Sequence, residues 1–154
     1  FSILIVIAVY DYYHKIIPDE LAYTFSFLSL IYLFSINNFQ IVPVLSSPDF
    51  LAGPILFAFF GLIWLVSRGR WMGLGDAKLS LGVGWLLGFS MGITAIFLAF
   101  WIGALVGIFI LLRSNLYDTM RHEIPFAPFI ILGAFIVFLL QFNLFEYLVF
   151  TPIF

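Results

Sequence analysis

From Leu79 to Leu112 the chain runs for 34 residues without a charged side chain, and this run limits what the chain can fold into. As one straight helix it would be about 51 Å long, far beyond a hydrocarbon core of roughly 30 Å. It must therefore break. The segment "GFSMG" at 88–92 is its weakest helical stretch, which leaves a short fourth helix from about Asp76 to Leu87 and a fifth from about Ile93 to Leu112. A second uncharged run, Phe50 to Ser67, has the length of a single crossing. With 64% of 154 residues apolar and only 9% charged, the hydrocarbon exceeds what a soluble core of this size can hide. The expectation is an all-α integral membrane protein.

Pro, Gly and polar clusters divide the chain into about six transmembrane helices, a polytopic bundle forming a single domain over residues 1–154. The first ends near Tyr13. The second follows "IIPDEL", where Pro18 suits a first turn and Asp19 and Glu20 complement the helix dipole, and it runs to about Ile36. After a loop, "NNFQIVPVLSSPD", Ser47 and Pro48 read as N-cap and first-turn proline of the third helix, which ends near Ser67. The sixth runs from "IPFAPF" to about Phe142, with an interfacial tail after it. On this path His14 and Lys15, then Arg68, Arg70 and Lys78, then Arg113, Arg121 and His122 all fall on one side, which the positive-inside rule assigns to the cytoplasm. The first apolar run, "FSILIVIAVY", is too short to span a bilayer and begins without Met, which points to a longer parent chain that has lost its N-terminal part. It carries neither the basic n-region nor the cleavage pattern of a signal peptide.

The same layout places Asp11 and Asp76 at one membrane depth, although they are 65 residues apart. An ionisable group near the hydrocarbon boundary faces a bundle interior or a wet cavity and marks function. Two carboxyl groups within a few ångströms repel as a pair of anions and so share one proton. The ionised member can then activate water while the protonated member donates to a carbonyl. Gly73 and Gly75 would let the backbone approach an extended peptide closely and adopt angles other residues resist. The plainer alternative is that Asp76 caps helix four and Asp11 is a solvated helix-end residue. Asp19 and Glu20 read first as dipole partners, and Asp49, Asp118 and Glu146 as interfacial or loop residues. Lys78 either biases the charge on Asp76 or snorkels to the interface, and the tyrosines at 10, 12 and 13 with Trp71 form an aromatic belt. With no cysteine and two lone histidines, neither a disulfide framework nor a zinc site is expected, and nucleic acid is not an expected partner.

Three separated stretches, "DYYHKIIPDEL", "GLGDAKL" and "EIPFAPFIILG", together resemble the bacterial prepilin peptidases, membrane aspartic proteases of the Gly-x-Gly-Asp type. The resemblance covers almost the whole chain. It implies that Asp11 and Asp76 are the catalytic pair, that Gly73, Gly75 and Lys78 support the motif, and that Asp19 is a motif residue. Ala127 stands where the family usually has a second glycine. The implied activity is endoproteolysis of type IV prepilins or type II secretion pseudopilins, at the junction between a basic leader and a hydrophobic helix. Cleavage would occur at the cytoplasmic face of the bacterial inner membrane, with membrane lipid as surroundings and no cofactor or metal for proteolysis. Many members also methylate the new N-terminus with S-adenosylmethionine. This chain has no glycine fingerprint for a nucleotide and none of the paired cysteines of their cytoplasmic domain, so S-adenosylmethionine belongs here only if that second activity does. The competing class is a small transporter using Asp11 and Asp76 as a proton or cation site, which would sit more naturally near mid-bilayer.

Overall fold

The structure, a computed structural model, describes residues 1–113, 125–141, 143 and 144. Arg121, His122, Asp118, Glu146 and the tail from 145 lie outside the described residues. Those described form helices and short connections: α1 (Ser2–His14), α2 (Asp19–Ile36), α3 (Ile41–Leu45), α4 (Pro48–Ser67), α5 (Leu74–Arg113) and α6 (Ala127–Leu140). Among them α2, α4 and α5 are long and apolar enough to cross a membrane, while α1 and α6 are shorter apolar helices of 13 and 14 residues. The chain is a helical membrane protein. The C-terminal part of α5 fits this, since Phe97, Trp101, Leu105, Ile108 and Leu112 form an exposed apolar stripe at helical spacing.

The long uncharged run does break, and at one residue. Gly88 has φ 77° and ψ −177°, a conformation open essentially only to glycine, in the middle of α5. The break is a reversal of direction. A Cβ built on Gly92 would lie 3.6 Å from the Cα of Gly84, whereas eight residues of straight helix would separate them by about 12 Å. α5 is therefore a hairpin of two limbs, 74–87 and 89–113. Neighbour contacts agree: Gly53 and Gly84 touch across α4 and the first limb, and the Leu56 side chain approaches Gly92 on the second. Phe60 stacks on Phe100 further along both helices, at 6.0 Å between centroids.

Asp49 fastens the turn. Its Oδ1 accepts the Phe89 N–H at 2.9 Å, satisfying an orphan donor at the start of the second limb. A Cβ on Gly88 would meet that same oxygen at 2.5 Å. Asp49, read from the sequence as an interfacial or loop residue, thus has a specific role as well, a side-chain cap for a helical limb 40 residues downstream. Gly88→Ala is expected to destabilise the fold by about 2–4 kcal/mol, combining the backbone strain with displacement of the Asp49 cap. Thermal unfolding in detergent would read this as a clear fall in midpoint, and an unchanged midpoint would contradict the strained turn.

Two expectations about local elements need correction. The stretch "IVPVL" inside the expected loop forms the one-turn helix α3, closed by Ser46 and Ser47, whose hydroxyls donate to Val42 O and Val44 O at 2.7 Å each. Pro18 is the N-cap of α2 rather than a first-turn residue, with φ −61° and ψ 128°, because its fixed φ suits the extended entry equally well. Ser47 caps α4 as expected, accepting the Phe50 N–H at 3.3 Å.

The first limb of α5 is the centre of the bundle. No residue from Leu74 to Ser90 is exposed. It runs parallel to α2, as shown by Asp19 against Lys78 and Phe25 against Gly82, and antiparallel to α4. Small residues permit these close crossings: a Cβ on Gly84 would lie 2.6 Å from Gly53 N, and Gly133 of α6 abuts the Ala95 carbonyl of the second limb. α1 closes the ring antiparallel to α6, with Phe1 against Phe135 and Phe138 at one end and Asp11 beside Ala127 at the other. The C-terminal ends of α1 and α4 and the starts of α2, α5 and α6 thus meet at one end of the bundle.

Candidate active site

At that end a polar cavity of about 410 Å³ opens between the helices. Asp11 and Asp76 both line it, and both are buried, 6% and 7% exposed. Each reaches it by a different local device. Asp11 lies in the last turn of α1, which ends where Lys15 turns left-handed (φ 54°) with its N–H bonded to the Asp11 carbonyl at 2.7 Å. The Asp11 carboxylate faces the backbone N–H of Ala127 at the start of α6, and its Oδ2 is buried with no hydrogen-bond partner among the described residues.

Asp76 is the third residue of α5. Its N–H donates to the Gly73 carbonyl at 3.3 Å, and its carboxylate faces the Gly73 N–H in return, the N3-to-N-cap half of a capping box. The plain capping role and the cavity-lining role therefore coexist in one side chain. Capping holds the carboxylate in place, and the negative charge of Asp11 acts on it across the cavity. The chain arrives here because α4 ends in a Schellman-type turn, Gly69 N–H to Trp64 O at 2.9 Å and Arg68 N–H to Leu65 O at 3.3 Å. After this turn residues 69–73 line the cavity.

The remaining residues singled out by the sequence reach the same place in unequal ways. Gly73 lines the cavity, and a Cβ there would stand 3.9 Å from Asp76 Oδ2 in otherwise open space. Gly75 also lines it, but its Cβ direction is occupied: a methyl there would sit 2.8 Å from the Cβ of Ile17 in the α1–α2 connection. Neither has a positive φ, so the expected need for unusual backbone angles at Gly73 and Gly75 is corrected; the left-handed glycines are Gly69 and Gly88. Lys78 is paired with Asp19 rather than with Asp76, Nζ to Oδ1 at 2.6 Å, and lies 5.2 Å from the centre of the Tyr23 ring. Asp19 is accordingly an ion-pair partner as well as a first-turn residue of α2.

Lys15, Ile17, Arg70, Met72, Pro125 and Phe126 also border the cavity, and sequence reasoning gave none of them a site role. Lys15 and Arg70 had entered only as topological charges, and their positions beside the ends that carry Asp11 and Asp76 were the signal available. The described residues include no cluster of three or more His, Asp or Glu side chains placed to hold a metal ion. They also contain no strand, and so no strand-to-helix glycine turn of the kind that cradles a nucleotide.

The sequence that builds this helical bundle matches a known family. Residues 1–108 match the type IV leader peptidase family, and the chain belongs to it. Among curated relatives it is 33% identical over 139 residues to the prepilin leader peptidase/N-methyltransferase of Bacillus subtilis (strain 168), covering 90% of this chain and 52% of that protein. It is also 29% identical over 142 residues to the protein of the same name from Pseudomonas putida, covering 88% of this chain and 46% of the relative. The chain thus spans about half the length of the curated relatives it matches. No solved structure matches it.

Proposed function

We propose that this chain is an aspartic endopeptidase of the bacterial inner membrane that removes the basic leader from type IV prepilins or type II secretion pseudopilins at the cytoplasmic face. Membership of a leader peptidase family supports the peptidase class. The observation that carries the mechanism is the burial of Asp11 and Asp76 on one cavity at the end of the bundle where Lys15, Arg70 and Lys78 also gather. Asp11 and Asp76 are the catalytic pair. One proton is shared between them: the ionised carboxylate takes a proton from water as it attacks the scissile carbonyl, and the protonated partner donates to the carbonyl oxygen. The capping contact at Gly73 and the Ala127 N–H orient the two acids. The open space beside Gly73 lets an extended peptide pass close to Asp76. The substrate's hydrophobic helix stays in lipid and docks against the bundle from the side. No step passes through a metal or S-adenosylmethionine.

A transporter would be better served by carboxylates at mid-helix, whereas Asp11 and Asp76 sit within a turn of helix ends. The direct test is to incubate the protein in lipid vesicles with a leader-bearing precursor and read the new N-terminus by mass spectrometry. Cleavage between the basic leader and the hydrophobic helix, unaffected by a metal chelator, is the expected result. An intact precursor beside folded protein would overturn the proposal.

A further inference from the structure

Asp76 has a lysine two residues away on the same helix, and both side chains border one cavity. A bare ammonium there would favour ionisation of both acids and so oppose sharing of a single proton. In this structure that ammonium is held at 2.6 Å by Asp19, in the first turn of α2, with the Tyr23 ring behind it. The pair is not held by charge alone. Ser26 Oγ of α2 donates to the Lys78 carbonyl at 3.3 Å, and Ile17, just before α2, packs on Gly75. The lysine and its counter-ion are thus fixed on opposite sides of one helix contact.

We propose that Asp19 and Lys78 form a positioning pair in which Asp19 offsets the Lys78 charge beside the Asp11–Asp76 dyad, setting the pH range in which the dyad holds one proton. The inference rests on the proposed dyad. The charged groups lining the cavity with the dyad are Lys15 after α1, Asp19 from α2, Arg70 from the loop before α5 and Lys78 from α5 itself, with Tyr23 of α2 against the Lys78 ammonium; the entry to α6 contributes Pro125 and Phe126, which carry no charge. Removing one member of the pair leaves the other uncompensated, so the two single substitutions must act in opposite directions. Asp19→Asn leaves a net positive charge, which eases ionisation and moves the active range to lower pH. Lys78→Gln leaves the Asp19 charge without its counter-ion and moves it to higher pH.

The experiment is the pH profile of precursor cleavage by the full chain in detergent, for wild type, Asp19→Asn, Lys78→Gln, the double variant and Asp76→Asn. The expected displacement of the profile centre is about half a unit to one unit for each single variant, in opposite senses, from one elementary charge at roughly 10 Å under partial screening. The double variant should return to the wild-type centre. Partial loss of folding lowers the height of a profile and leaves its centre in place, so the reading survives an unstable variant. Centres that stay put, or move together, would reduce the pair to a fastening between α2 and α5 and overturn the inference. An active Asp76→Asn would instead overturn the dyad on which it rests.

Discussion

Asp76→Asn is expected to lower precursor cleavage by at least about a thousand-fold while leaving the protein folded in the membrane. The substitution is chosen for what it keeps. An asparagine side-chain oxygen can still accept the Gly73 N–H that the carboxylate faces, so the start of α5 retains its cap. What it loses is the ability to take or give a proton, and positioned acid–base catalysis contributes roughly a hundred- to ten-thousand-fold for each group. Asp11→Asn should lose as much, since its amide can still accept from Ala127 N–H. The double variant should lose little more than either single one, because two acids that share one proton act as a unit and their losses do not multiply. For the same reason the wild-type profile should be bell-shaped. At low pH both acids are protonated and no base remains; at high pH both are ionised and no acid remains. Near-normal cleavage by either asparagine variant, with expression and helicity preserved, would remove that residue from the mechanism.

The depth of these two residues could be read before any coordinates, and their convergence could not. Counting helices places Asp11 and Asp76 at one end of the bundle, but depth is one coordinate of three. The sideways approach depends on which helices neighbour which, information carried by close crossings such as Gly84 on Gly53 and Gly82 on Phe25. The layout made the two acids candidates for a pair, and the resemblance to a known family implied that they are one. The break in the uncharged run was legible because helix length is set by bilayer thickness, and glycine marked the spot. That the two pieces run in opposite directions also followed from the alternating path of the basic residues, but what secures the turn was not legible, since Asp49 acts on a backbone N–H 40 positions away. Patterns of side chains do not register backbone donors. Asp19 and Lys78 were each given a local role, dipole partner and snorkelling flank, which their neighbourhood in sequence supports; the ion pair between them spans 59 residues and exists only in the tertiary fold. The helix α3 escaped notice because five apolar residues between turn formers have no periodicity to measure.

Gly75 shows how that tertiary contact bears on the chemistry, and Gly75→Val is expected to cut cleavage by about a hundred-fold. Asp11 sits six residues before Ile17, and Asp76 follows Gly75 directly. The contact of Ile17 with the bare backbone of Gly75 therefore sets how near the two acid-bearing segments stand. A Cβ at Gly75 would meet the Cβ of Ile17 at 2.8 Å, with the Ile17 Cγ1 and Cδ1 at 3.2 Å, so the atom in the way is anchored to backbone and cannot swing aside. The α1–α2 connection must move outward, carrying the end of α1 with it. Overpacking of this kind costs about 1–3 kcal/mol of stability, which a bundle built on buried helix crossings can absorb. The catalytic loss is larger in effect, because a displacement near 1 Å in reacting groups lowers rates on the order of a hundred-fold. Rescue separates the two effects. Ile17→Gly removes the obstructing Cβ, so the pair Ile17→Gly with Gly75→Ala should cleave faster than Gly75→Ala alone, despite carrying a second change that by itself removes buried apolar surface. If the combined variant is slower than the single one, Gly75 serves some purpose other than closing the distance between Asp11 and Asp76.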